Sequence, residues 1–228
     1  MATRLTIFLF ATFTLFSSCK ILAPSMNTVI ENGDYSLKSK ERNSTKIYLD
    51  YENEEMILSS YNQDSIEIHL LKESNKIIKP IFLNQKNKLD IVLITTPVKF
   101  RPGQMIMKPQ LNAGINASIF LGLRNNYNIV SYRKGYNKYQ RYISSYGLSY
   151  GIFAGLSNTN MNPWVTNNNI SQEYDGVVFT KGVTSILGLN KFTIGVSLGF
   201  DNLLDPNHKY WVYEGKPWVG VSLGLNIN

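Results

Sequence analysis

The sequence predicts an all-β chain: an antiparallel transmembrane β-barrel of about eight strands behind a small N-terminal β-rich appendage. Three observations carry that expectation. From residue 88 onward, apolar residues alternate at period two with Gly, Ser, Asn and Thr. The clearest alternating segments, 111–123, 143–156, 192–200 and 217–228, contain no charged residue on either face. Charge is also divided along the chain. Residues 1–90 hold eleven Lys+Arg against eleven Asp+Glu, whereas residues 91–228 hold twelve against five, so the whole +7 lies in the C-terminal part.

The first residues, MATRLTIFLFATFTLFSSCK, place Arg4 before an apolar run over 5–16. Such a run is too short for a helical membrane span of ~20 residues and suits a secretory signal peptide. The stretch Leu15-Phe16-Ser17-Ser18-Cys19 resembles a bacterial lipobox, which implies cleavage before Cys19 and a diacylglycerol on its thiol. Residues 1–18 then form the signal peptide and 19–87 a lipid-anchored polar segment. In that segment Lys46-Ile47-Tyr48-Leu49-Asp50-Tyr51 and Ser65-Ile66-Glu67-Ile68-His69-Leu70 alternate as half-exposed strands do.

Residues 88–228 are the expected barrel, with strands near 88–100, 107–124, 142–156, 177–189, 192–202 and 216–228. Within 111–123, Leu111, Ala113, Ile115, Ala117, Ile119, Leu121 and Leu123 oppose Asn112, Gly114, Asn116, Ser118, Phe120 and Gly122. The same division sets Phe192, Ile194, Val196, Leu198 and Phe200 against Thr193, Gly195, Ser197 and Gly199. A soluble sandwich or lipocalin-like barrel would turn the small polar face to water and enrich it in Lys, Glu and Asp. A membrane barrel turns the apolar face to lipid, where a midplane Lys or Arg costs ~2–4 kcal/mol. The absence of charge favours the second. Aromatics near strand ends (Tyr142, Tyr146, Phe192, Trp211, Tyr213, Trp218) are expected at the membrane interfaces. Lys181 sits on the apolar parity of 177–189, which calls for either a bulge or a snorkelling side chain. Six strands fall short of eight, so the missing pair is sought in 46–72 or in a hairpin over 128–141.

Several stretches carry a family likeness: Trp164-Val165-Thr166-Asn167-Asn168, Tyr174-Asp175-Gly176-Val177-Val178, Leu204-Asp205-Pro206-Asn207 and Gly215-Lys216-Pro217-Trp218-Val219-Gly220. From about residue 85 on, the chain resembles uncharacterised Bacteroidota outer-membrane proteins, with the OmpA/OmpX-type small barrel as the nearest general comparison. The resemblance implies the cell outer membrane and outer-membrane lipid as surroundings. It also implies a periplasmic C-terminus and Asn190-Lys191 turn, with loops 157–176 and 203–215 at the cell surface. It brings no activity with it.

Between residues 124 and 141, Arg124, Arg133, Lys134, Lys138 and Arg141 stand among four tyrosines without an acid. They are the candidate contacts for anionic lipid headgroups, since an exported chain rarely meets nucleic acid. One cysteine and two histidines exclude a disulfide framework and multi-Cys or His-based metal centres. No metal or other cofactor is expected. Loop 201–210 is rich in oxygen donors but lacks EF-hand spacing, and Asp-Pro-Asn is ordinary turn chemistry. His208 has no Gly-x-Ser-x-Gly partner for catalysis. Asp64-Ser65-Ile66 resembles a Bacteroidota O-glycosylation acceptor. The expected function is structural or binding, in a lipidated outer-membrane barrel with no catalytic residue assigned. The alternatives are a lipid-modifying barrel enzyme and a soluble lipoprotein that binds an apolar ligand.

Overall fold

Successive residues of a strand face opposite ways, so a period-two sequence sorts its side chains onto two surfaces. The computed structural model describes residues 30–39, 42–52, 55–60, 68–70, 73–75, 78–104, 107–189 and 192–225. The expected signal peptide, Cys19, the 64–66 acceptor and the Asn190-Lys191 turn lie outside these residues. Twelve described strands join one antiparallel sheet. In chain order they are β1 (Gly33–Ser39), β2 (Arg42–Glu52), β3 (Glu55–Ser60), β4 (Ile68–Leu70), β5 (Glu73–Ser74) and β6 (Ile81–Arg101). They continue with β7 (Gln110–Ala113), β8 (Asn116–Lys134), β9 (Tyr139–Met161), β10 (Tyr174–Leu189), β11 (Phe192–Leu203) and β12 (Pro217–Leu225). Among the described residues no helix is long and apolar enough to cross a membrane.

Neighbours run β12-β11-β10-β9-β8-β6, and β12 pairs again with residues 94–100 of β6. Six strands therefore form a hydrogen-bonded circuit, two fewer than expected. Neither proposed source supplies the missing pair. β1 takes the same edge of β6 as β12 but lower, at residues 82–84, and leads away to β2, β3 and β4. The hairpin over 128–141 is the continuation of β8 and β9 beyond the ends of β10 and β11, since Leu189 pairs with Tyr146.

Two irregularities in β6 decide which way its side chains face. Against β8, Gln85 pairs with Asn126 and Lys88 with Arg124, leaving an extra residue near Asn87, whose φ is 57°. Against β12, Val98 pairs with Val221 and Thr95 with Leu223, leaving an extra residue near Thr96 and Pro97. Proline cannot donate to a ladder and sits naturally at such a bulge, and each bulge reverses the strand's parity. Between the bulges Asp90, Val92, Ile94 and Thr96 are buried; beyond the second, Lys99 and Arg101 are buried and Phe100 is exposed. The expected boundary at residue 87 thus falls on the first bulge, although β6, β8 and β9 run on either side of the corresponding level.

Below the first bulge the apolar side chains turn inward. Tyr35, Ile47, Leu49, Met56, Leu58 and Leu70 from β1–β4 bury against Leu83, Val130 and Ile143 from β6, β8 and β9. Burial pushes the Tyr35 phenol up to about 12, with the neighbouring Tyr51 adding to the rise. At the other end, Met107, Met161, Val165, Val178, Leu203, Trp211 and Tyr213 pack the loops into an apolar cap. Short 3-10 turns at Trp164–Thr166 and Pro206–Tyr210 shape it.

β10 keeps continuous register with both neighbours, so it has no bulge. Lys181 is exposed on the outer face, its Nζ 5.8 Å from the centre of the Phe179 ring. Trp211, Tyr213 and Trp218 depart from the interfacial expectation, being only 3%, 2% and 1% exposed. Gly199 explains why Trp218 turns inward: a Cβ there would overlap its ring.

Candidate functional site

The bulge at Pro97 delivers two cations to the buried face of the six-strand circuit, where they meet one carboxylate. Lys99, Arg101 and Asp201 are 5%, 4% and 1% exposed. Lys99 Nζ lies 3.0 and 3.1 Å from the two Asp201 oxygens and also donates to Ser157 and Thr180 at 3.4 and 3.5 Å. Arg101 Nη2 donates to Asp201 Oδ2, and Trp218 Nε1 donates to Asp201 Oδ1 at 2.9 Å. Aromatic faces complete the enclosure. Lys99 stands 4.4 Å from the Trp218 ring centre, and Arg101 5.1 and 5.2 Å from those of Trp211 and Tyr213. A desolvated cation gains from such a face because the ring quadrupole is negative there. Sequence reading passed over this cluster because strict alternation along β6 puts Lys99 and Arg101 outward. The available signal was Pro97 within a strand pattern.

Beside the cluster a hydroxyl chain crosses four strands. Thr96 and Ser222 hydroxyls are 2.7 Å apart, Ser222 is hydrogen-bonded to Ser197, and Ser197 donates to Thr184 at 2.8 Å. Thr184 in turn donates to the Val196 carbonyl at 3.0 Å. Val92, Ile94, Phe120, Phe153, Ile186 and Trp218 fill the space toward the appendage. Farther down, Asp90 accepts from Ser149, and Arg124 Nη1 stands 3.9 Å from its other oxygen. Arg124 occupies room left by Gly147 and Gly188, where a Cβ would meet its guanidinium. The buried face is therefore occupied by ion pairs at both ends and by apolar side chains between them.

The candidate headgroup residues do not gather on one surface. Arg124 turns to the buried face, with Nε donating to Asn126 Oδ1 at 2.7 Å. Arg141 donates to the Leu70 carbonyl at 2.8 Å, and Lys138 pairs with Glu73 at 3.1 Å. Arg133 lies 5.2 Å from the Tyr142 ring centre, and Lys134 is exposed. Three of the five thus tie the long hairpin to the rest of the fold. Loop 201–210 resolves into turn chemistry: Asp205 accepts from Asn207 N at 2.7 Å and from Tyr174 OH at 2.9 Å. His208 Nδ1 contacts the Asp205 carbonyl at 3.0 Å, and no metal-holding group of three or more His, Cys, Asp or Glu occurs among the described residues. Compared with family models, curated proteins and solved structures, the chain shows no match.

Proposed function

We propose that the six-strand circuit is a closed β-barrel set in a bacterial outer membrane, with a structural or binding role and no catalytic residue. One observation carries this reading. Following cross-strand partners from Phe100 leads through Val219, Leu198, Val183, Ile152 and Leu121 to Ile91. All seven are large apolar residues, exposed by between 44% and 60%. The adjacent row on the buried face reads Lys99, Gly220, Ser197, Thr184, Gly151, Gly122 and Asp90. A soluble fold would reverse these two rows, because burying apolar area is the main favourable term in water. Hydrocarbon removes that drive and penalises exposed polar groups instead.

The walk returns to β6 nine residues from where it left, the kind of stagger that strand tilt imposes on a closed sheet. On β10 the outward face runs from exposed Val177 to exposed Leu187, ten steps apart, interrupted by Lys181 and Ser185. At ~3.3 Å per step and a tilt of ~35–45°, the band is ~23–27 Å tall, against ~25 Å for an outer-membrane barrel. The appendage and the described start of the chain, Ile30, lie at the end holding the β10–β11 hairpin. If that end is periplasmic, a diacylglycerol on Cys19 would sit in the nearby leaflet, which agrees with the lipobox-like stretch.

The test is membrane fractionation of the exported chain, combined with gel migration before and after boiling and mass measurement of the mature N-terminus. Recovery in the outer membrane, a heat-dependent mobility shift and a lipid-modified Cys19 are expected. A detergent-free soluble monomer with no mobility shift overturns the barrel reading, and an unmodified Cys19 overturns the anchor.

A further inference from the structure

We propose that the Lys99–Arg101–Asp201 cluster forms the floor of a binding site for one tetrahedral oxyanion that retains a proton, inorganic phosphate. Next to the cluster lies a cavity of about 70 Å³ lined by Thr96, Lys99, Arg101, Asn112, Ser157 and Thr159, among others. Its rim includes Gly114, Asn158 and Asn160, which are exposed. The cavity therefore connects a buried charged floor with the outside at the capped end. It lies where the β8–β9 ladder stops. Pairing begins at Asn116 with Ser157, and Asn158 carries Ile115 by its side chain and main chain, Oδ1 accepting at 3.0 Å and N donating at 3.2 Å.

Three features of this pocket point to the ligand. First, two cations face one carboxylate, so the cluster carries a net positive charge that opens into the cavity. A buried charge needs a counter-charge or it strongly disfavours the folded state. Asp201 has both oxygens engaged by Lys99, Arg101 and Trp218. The fork of five guanidinium donors on Arg101, one of them directed at Asp201, matches oxyanion geometry. Second, the size is small. A space of this size suits a single oxyanion. Third, Asn112 lines the same cavity, and its Oδ1 is buried without a partner among the described residues. An amide oxygen only accepts hydrogen bonds, so it repels a fully deprotonated anion and welcomes one with a remaining O–H. At neutral pH, phosphate keeps a proton and sulfate keeps none.

The site does not depend on the membrane reading, because free phosphate is a sufficient probe. Calorimetry on the full chain in a non-ionic detergent, titrated with inorganic phosphate and separately with sulfate, tests it. Saturable 1:1 phosphate binding is expected, with sulfate weaker by about tenfold, the equivalent of one hydrogen bond gained or lost. Arg101→Met should abolish binding. If that variant fails to fold, Asn112→Ala, which lies outside the ion cluster, should weaken phosphate about tenfold while leaving sulfate unchanged. Native mass spectrometry from nanodiscs containing phosphatidic acid distinguishes the source. Saturable uptake of inorganic phosphate supports the proposal; retention of phosphatidic acid without uptake of free phosphate overturns it. Binding of neither overturns the proposal, as does equal binding of phosphate and sulfate that Asn112→Ala leaves untouched.

Discussion

Replacing Ile152 with Arg separates a lipid-facing band from a water-facing one. Ile152 is 59% exposed on the outer face of β9, flanked across the ladder by Leu121 and Val183. The exposed apolar run on β9 extends from Leu148 to Leu156, so Ile152 is four steps from either end. Four steps at ~3.3 Å, tilted by ~35–45°, put it ~10 Å from each edge. In a bilayer the substitution should then cost ~2–4 kcal/mol, a fall of about 30- to 900-fold in the folded-to-unfolded ratio. In water the same exposed site should tolerate Arg within ~0.5 kcal/mol. Reversible denaturant unfolding in phospholipid vesicles measures the difference. Ser144→Arg, on the same face four residues below Leu148, serves as the depth control and should cost only ~0–1 kcal/mol. If Ile152→Arg is neutral, or yields a stable detergent-free monomer, the argument from the exposed apolar ring fails.

Four other outcomes follow from the same geometry. Asp201→Ala leaves Lys99 and Arg101 buried without their carboxylate and should destabilise by about 3–5 kcal/mol in denaturant unfolding. Gly199→Ala drives a Cβ into the buried Trp218 ring and should cost ~1–3 kcal/mol, more than Gly147→Ala, where the neighbour is the movable end of Arg124. Tyr35 should ionise near pH 12 because the folded state favours the neutral phenol. Its contribution is complete below about pH 10 and is lost as pH rises toward 12; alkaline absorbance titration of the parent and of Tyr35→Phe checks this. Planar-bilayer recordings should show no steady conductance, since ion pairs and the Phe120–Phe153–Trp218 packing occupy the buried face; an open channel would contradict that packing.

Most strands were legible because each of their faces has uniform chemistry. β9, β10 and β11 keep one parity from end to end, so Leu148, Ile152, Val183 and Leu198 could be assigned to one face by counting twos. Lys181 resisted counting, and continuous ladders on both sides of β10 now place it outward against Phe179. β6 resisted for a different reason. Its bulges shift parity twice, and a shift of one residue exchanges every later side chain between faces. The aromatic residues near strand ends were likewise ambiguous. Whether Trp218 faces lipid or the interior depends on room made by Gly199 on the neighbouring strand, and no local pattern encodes that room.

The sequence by itself determined the β character, the uncharged two-faced strands and the division between a charge-balanced front and a basic remainder. These are local properties, set by neighbours two residues apart and by composition. Tertiary structure alone decided that six strands complete the circuit, that β1–β4 branch from the lower part of β6, and that Arg124, Lys138 and Arg141 bind the fold itself. It also brought Lys99, Arg101 and Asp201 together from positions about a hundred residues apart. Such a meeting depends on cross-strand register and on two bulges, quantities that exist only once distant segments have paired.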